Sequence, residues 1–383
     1  MTRPLNIVFI GLTLSSSWGN GHATTYRSLL RGLHGEGHEV LFLERDVPWY
    51  ASRRDLAEPD FCALRFYGDV DELLSTYSGR LRQADAVIVG SYLPDGAEVI
   101  DALLDMQLRA LCFYDIDTPV TLAGIDRGSE DYLARRQIPG FDVYFSFSGG
   151  EVLRRLEDRY GARRAEALYC SADPARYRPT EEAPLWDLGY MGTYSADRQP
   201  ALEALLLSPA RELPQMRFVV AGAQYPDDID WPANVERIEH LPPADHATFY
   251  GRQRFTLNLT RADMVALGWS PSVRLFEAGA CATPVISDRW QGIGELFPDG
   301  EAILLAQSGR DVMRFLSRTG ETTRQAIGAR AHDIVLRDHS AAARARQLTG
   351  VLRSLERNSR RQQPALSGAA AGTTPTEGMR CDV

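Results

Sequence analysis

The sequence predicts an α/β protein made of two Rossmann-like, doubly wound domains facing one another across a cleft. Three observations lead there. Short, continuously apolar runs, several ending in glycine, alternate with helical stretches along both halves of the chain, as expected for parallel strands buried on both faces. A Pro-punctuated segment, Asp173-Pro-Ala-Arg-Tyr-Arg-Pro179, separates two such series. The 383 residues suffice for two domains of about 150–200 residues each. The expected organisation is a first domain at 1–172, a linker at 173–187, a second domain at 188–356 and a disordered tail at 357–383, where Arg/Gln and then Ala/Gly/Thr/Pro replace any apolar period.

Asn6-Ile-Val-Phe-Ile-Gly11 opens the first series as a buried strand. The Ser/Gly-rich stretch 15–21 follows as a flexible loop, and 23–33 has helical periodicity. After Gly37-His38-Glu39 comes a second strand at 40–43, completing a βαβ unit whose loop lies where parallel sheets present ligand-binding loops. Strands at 86–90, 110–114 and 143–146 continue the domain, with a helix at 97–107. The second series predicts strands at 188–192, 217–222, 255–259 and 284–287, a helix at 198–207, and a helix at 271–281 entered through Pro and Ser.

The composition narrows the chemistry. With 44% hydrophobic and 24% charged residues the chain is globular. Its 42 basic residues are all arginine, which excludes a Schiff-base lysine and a Walker-type phosphate loop, so phosphate must be held by Arg, backbone N–H groups or helix ends. The net charge of −9, with scattered cations, gives no nucleic-acid footprint. Cys62, Cys112, Cys170, Cys281 and Cys381 form no C-x-x-C pair and read as reduced thiols, and the apolar run 5–14 is too short to span a membrane. A cytoplasmic protein without an integral membrane segment is expected; oligomeric state has no signal.

The segment 268–288 is the most informative. Ser270 and Ser272 open a helix whose free N–H groups favour an anion, Arg274 lies in its first turn, and Glu277 follows three residues later on nearly the same face, where a carboxylate can accept from two ribose hydroxyls. An ordinary helix start with a first-turn salt bridge explains the same residues. The ordered set Arg274, Phe276-Glu277-Ala278, Cys281-Ala-Thr-Pro284-Val-Ile286, Asp299-Gly-Glu301 and His339-Ser340 with Arg344 resembles the carboxyl-terminal domain of GT-B glycosyltransferases, in particular the CgeB-like (spore-maturation protein) branch related to family 4. The resemblance runs from Gly189 to Leu352 and more loosely through the first half. It implies that Glu277 binds ribose, that Ser272 and Arg274 face a diphosphate beside the loop at Gly192 and Thr193, with Arg198 and Arg261 in place of the family's lysine, and that the base lies near His240. Trp269 stands where the family's other Glu of the E-x7-E pattern is expected, so the donor sugar cannot be carried over.

In the first half, Asp115 and Asp117 follow the predicted strand 110–114 at its carboxyl end. They read as acceptor-side catalytic residues, as a turn-forming pair, or as the D-x-D motif of the GT-A fold, which holds a divalent cation. His22 has a pKa suited to proton transfer, or caps the helix it begins. Trp18 and Trp269 stack on sugar rings or fill core, and His38 reads as structural. The expected activity is sugar transfer from a nucleoside diphosphate sugar (UDP, GDP or dTDP) to a small-molecule or glycan acceptor, with retention, no cofactor and no required metal. A sugar-nucleotide epimerase of the same architecture and a non-catalytic sugar-nucleotide-binding partner are the alternatives.

Overall fold

The computed structural model describes residues 3–18, 21–129 and 131–362. The first sheet contains β1 (Asn6–Gly11), β2 (Glu39–Arg45), β3 (Ala63–Tyr67), β4 (Ala86–Gly90), β5 (Leu111–Asp115), β6 (Val143–Ser146) and β7 (Ala165–Ala167), in the order β3-β2-β1-β4-β5-β6-β7. The second contains β8 (Trp186–Met191), β9 (Phe218–Ala221), β10 (Val235–Ile238), β11 (Gln253–Asn258), β12 (Val285–Asp288) and β13 (Leu304–Ala306), in the order β10-β9-β8-β11-β12-β13. All pairings within both sheets are parallel. Each sheet reverses its winding once, between β1 and β4 and between β8 and β11, and a crevice opens at the carboxyl ends of the strands there.

The predicted strands are continuous apolar runs because both faces are covered: Val8 and Ile10 join one core cluster, Ile7 and Phe9 the other. Glycine ends β1 and β4 for a steric reason. A Cβ at Gly11 would come within 2.7 Å of Phe42 and one at Gly90 within 1.7 Å of the hydroxyl of Tyr26, the residue that fills this corner.

Several expectations need correction. The loop after β1 is not loose in its described part. Fully buried Glu44 accepts from the Leu14 and Ser15 amides and from the Thr13 and Ser15 hydroxyls, and Asp55 accepts from Ser17 and, bidentately, from Arg27. The helix predicted at 198–207 begins at Gln199, passes into a π-helical turn at Glu203–Leu207 and continues as Ser208–Glu212. The helix Ala341–Gln362 runs six residues past 356, and 363–383, with Cys381, lies outside the described residues. Its sequence position groups it with the second half, but Ala345, Leu348, Val351 and Leu352 pack in the core of the first domain with Leu29, Leu30 and Leu33. Gly32 permits that contact, since a Cβ there would meet the Ala341 carbonyl at 2.2 Å. The return crossing is pinned by Arg344, which donates to the Tyr169 carbonyl at 3.1 Å and contacts His339, whose ring stacks on Phe276.

No helix among the described residues is long and apolar enough to cross a membrane. Cys62, Cys112, Cys170 and Cys281 are free.

Candidate functional site

The loops after β8 and β11 meet the start of the helix Val273–Ala280 at the second sheet's switch point. Together they enclose a cavity of about 690 Å³, lined by Thr193, Tyr194, Arg198, Thr260, Arg261, Ser272 and Arg274, with Gly21 reaching in from the first domain. Three guanidinium groups therefore line one cavity, and none of the three has a carboxylate within ion-pair distance among the described residues. Arg198 is buried and donates to the Thr193 carbonyl at 2.9 Å, which aims its head group, while its Nε has no partner. Burial, and then the neighbouring Arg274 and Arg261, lower its pKa. Such a cluster is self-repelling without a ligand and favours a multiply charged anion. No side chain caps the first turn of Val273–Ala280, and the Ser272 hydroxyl donates to Asn258 Oδ1 at 2.6 Å, so the turn's amides add to the anion site.

A second cavity of about 260 Å³ adjoins the first through Thr193 and Arg274 and is lined also by Gly192, Gly222, His240, His246 and Glu277. The close approach of β8 and β9 depends on glycine: Gly222 has φ 152°, and a Cβ there would lie 2.0 Å from the Gly192 carbonyl. Glu277 is buried, and the fully buried Tyr250 hydroxyl donates to its Oε2 at 3.2 Å, which fixes the carboxylate at the cavity wall. His240 is exposed at the rim. The first-turn salt bridge considered for Arg274 and Glu277 is not formed; the two line the cavity wall side by side.

On the first-domain side the three candidates separate. Asp117 lines a further cavity of about 300 Å³ that it shares with Asp197, Arg261 and Asp263 of the second domain. It accepts from the Tyr92 hydroxyl at 3.2 Å, and burial, partly opposed by Arg261, raises its pKa. Asp115 does not reach the cleft. It is fully buried beneath it, with Oδ2 accepting from Tyr144 at 2.6 Å and Oδ1 from Thr121 at 2.7 Å, and burial raises its pKa to about 6. β5 ends at Asp115, and Asp117 directly precedes the next helix, Thr118–Asp126, so strand alternation no longer relates the two side chains: Asp115 is held inward by Tyr144 and Thr121, only Asp117 lines the cavity shared with the second domain, and the D-x-D pairing of two carboxylates on one cation is not formed. Among the described residues no group of three or more potential ligands is placed to hold a metal. His22 begins the helix His22–Gly35 with its ring edge-on to Tyr92 at 5.2 Å; its Nδ1 has no partner, and burial lowers its pKa to about 4. It caps nothing there and is neutral at physiological pH. Gly19 and Asn20, beside it, lie outside the described residues.

Tyr92 was missed by sequence reasoning, although it contacts two of the three first-domain candidates, Asp117 and His22, and has φ 61°, a conformation disfavoured for a residue with a Cβ. Trp18 is exposed against Trp49 with Arg53 over its ring, whereas Trp269 is buried. His38 is structural, its Nδ1 accepting from the Leu5 amide at 3.0 Å.

Residues 198–350 match a family model described as glycosyl transferase-like, a span that begins at the cavity arginine Arg198. No curated protein matches the chain by sequence. Among solved structures, sucrose-phosphate synthase from Thermosynechococcus elongatus aligns at 14% identity, covering 92% of this chain and 100% of that one, with a TM-score of 0.64. HepE from Anabaena, solved in complex with UDP, aligns at 13% identity over 91% of this chain and 100% of its own, with a TM-score of 0.68. AviGT4, a glycosyltransferase involved in avilamycin A biosynthesis, aligns at 16% identity over 92% and 98%, with a TM-score of 0.61. The chain has the GT-B fold. In this GT-B chain the arginine-lined cavity lies in the carboxyl-terminal domain, at the switch point, meets the first domain at Gly21, and shares Arg261 with the cavity that Asp117 lines.

Proposed function

We propose that the protein is a glycosyltransferase of the CgeB-like branch related to family 4, acting in the cytoplasm. It moves a hexosyl unit from a nucleoside diphosphate sugar, UDP-linked in the first place, to a small-molecule or glycan acceptor, with retention and without a required metal. The observation that carries this reading is the convergence of Arg198, Arg261 and Arg274 on one cavity that continues, past Arg274, into a second holding Glu277 and His240. A diphosphate fits the arginines and the uncapped helix turn, a ribose diol fits Glu277, and a base fits the rim at His240. The resemblance of the sequence and the UDP complex of HepE support the same assignment of ligand.

In this reaction Arg198, Arg274 and the first-turn amides of Val273–Ala280 take up the charge that develops on the leaving diphosphate, an oxyanion-type stabilisation. Guanidinium groups supply the neutralisation that a divalent cation provides elsewhere. With retention, the departing diphosphate accepts the acceptor's proton, so Asp117 orients hydroxyl groups in the cleft and need not act as a full base. Product analysis without acceptor separates a sugar-nucleotide epimerase from this reading, and nucleotide binding without transfer or donor hydrolysis would favour a non-catalytic partner.

Calorimetric titration with UDP, in buffer with and without EDTA, tests the donor site, and incubation with UDP-glucose and an acceptor panel followed by NMR of the product tests transfer. Equal UDP affinity with chelator and an axial-retaining product are expected. Binding abolished by EDTA, or an inverted product, overturns the proposal.

A further inference from the structure

Trp269 combines features that a space-filling core residue does not need. It occupies the left-handed region at φ 44° and directly precedes Ser270–Arg274, the turn that carries the anion site. Its indole is gripped by two glycines from different domains, both at positive φ. A Cβ on Gly150 of the first domain would come within 2.3 Å of the ring, and one on Gly292 of the second within 2.2 Å. The Nε1 donates to Glu295 Oε2 at 3.0 Å and the backbone amide donates to the Gln291 carbonyl at 2.6 Å, both within the second domain. The carbonyl, in contrast, accepts from the Gly149 amide of the first domain at 2.9 Å, and one residue on, the buried hydroxyls of Ser148 and Ser270 meet across the boundary at 2.6 Å.

A non-glycine residue at positive φ is strained and persists only where its surroundings over-determine it. Here those surroundings belong to both domains at once. We infer that Trp269 is a positioning residue through which the contact between the two domains sets the geometry of the diphosphate-binding turn, so that donor affinity depends on the first domain's Gly149–Gly150 turn although that turn lines no part of the donor cavity. When the domains meet at Trp269, the Ser270–Arg274 segment is held and the amides and Arg274 are preorganised. When they part, the strained residue relaxes and the turn loses its alignment.

This inference rests on the proposed donor site for the identity of the anion, but its decisive variant lies elsewhere. Gly150→Ala places a methyl group against the indole from the first domain. Trp269→Phe keeps an aromatic ring and removes the Glu295 bond, and Ser148→Ala removes only the cross-boundary hydroxyl pair, as a milder change that leaves backbone contacts in place. UDP affinity is measured by calorimetry and the radius of gyration by small-angle X-ray scattering, for variants whose melting confirms that they are folded. Gly150→Ala and Trp269→Phe are expected to weaken UDP binding about tenfold or more, the order for loss of preorganisation, and to enlarge the radius of gyration. Ser148→Ala shifts both in the same direction by less. Wild-type UDP affinity and an unchanged radius of gyration in the folded variants would overturn the inference. Failure of the wild-type protein to bind UDP counts against the donor-site reading instead, and the scattering comparison then decides the interdomain role by itself.

Discussion

Replacing Glu277 separates its two duties. The carboxylate accepts from the buried Tyr250 hydroxyl at 3.2 Å and also faces the cavity that adjoins the arginine cluster. Glu277→Gln retains an acceptor for Tyr250 and removes only the charge, so the contact with a ribose diol falls from charge-assisted strength, about 1.5–3 kcal/mol, to that of a neutral bond, about 0.5–1.5 kcal/mol. The difference, roughly 1–1.5 kcal/mol, corresponds to UDP binding about 5–10-fold weaker. Glu277→Ala additionally leaves the Tyr250 hydroxyl without an acceptor, a penalty of about 1–3 kcal/mol that lowers the melting temperature by about 2–12 °C for a domain of this size. The assay is calorimetric titration of both variants with UDP and with 2′,3′-dideoxy-UDP, alongside thermal melts. Wild type should discriminate against the dideoxy compound, and the Gln variant should discriminate less at a nearly unchanged melting temperature. If the Gln variant binds UDP as wild type does, or wild type binds both ligands equally, Glu277 does not hold ribose and its role is to satisfy Tyr250.

Arg274→Ala should weaken UDP binding by roughly 10–100-fold, the loss of a charge-assisted contact to phosphate, while leaving uridine binding nearly unchanged; equal losses for both ligands would show that the arginine acts on the fold of the site. Asp115 has a folded-state pKa raised by burial to about 6, so the native state holds its proton between pH 4 and 6, and this residue's contribution to stability declines as the pH rises through that window. Comparing melting curves of wild type and Asp115→Asn across pH 4–6 should show the two diverging, and parallel curves would contradict the burial argument. His22 behaves with the opposite sign: its folded pKa is lowered to about 4, so stability is present above the unfolded value near 6.5 and falls away as the pH drops toward 4, a slope that His22→Gln should remove. Asp117→Asn should lower transfer to acceptor more than it lowers UDP affinity; loss of UDP binding alone would place Asp117 on the donor.

Much of the site was legible because its residues sit next to recognisable punctuation. Ser272, Arg274 and Glu277 share one helix start, and Gly192, Thr193 and Arg198 share one strand-to-helix loop, so their mutual placement is local geometry. The edge strands β3, β7, β10 and β13 were harder to see: Ala165–Ala167 and Leu304–Ala306 have three residues each, and Ala63–Tyr67 alternates buried with less buried positions rather than forming an apolar run. Asp115 and Asp117 could not be told apart from sequence, since both follow the same strand. What separates them is Tyr144 and Thr121, 29 and 6 residues away, which draw one carboxylate inward.

The sequence by itself determined the class of the protein: two alternating series of apolar runs can bury both faces of each strand only as two parallel, helix-covered sheets, and an all-arginine cation set leaves guanidinium groups and backbone amides to hold phosphate. Tertiary structure decided the matters that depend on contacts distant in sequence. It turned Asp115 into the core, wedged Trp269 between Gly150 and Gly292, and sent the last helix back to the first domain against Gly32. Each of these outcomes is set by which surfaces meet across the boundary between domains or between the two sides of a sheet, and periodicity along the chain does not encode such meetings.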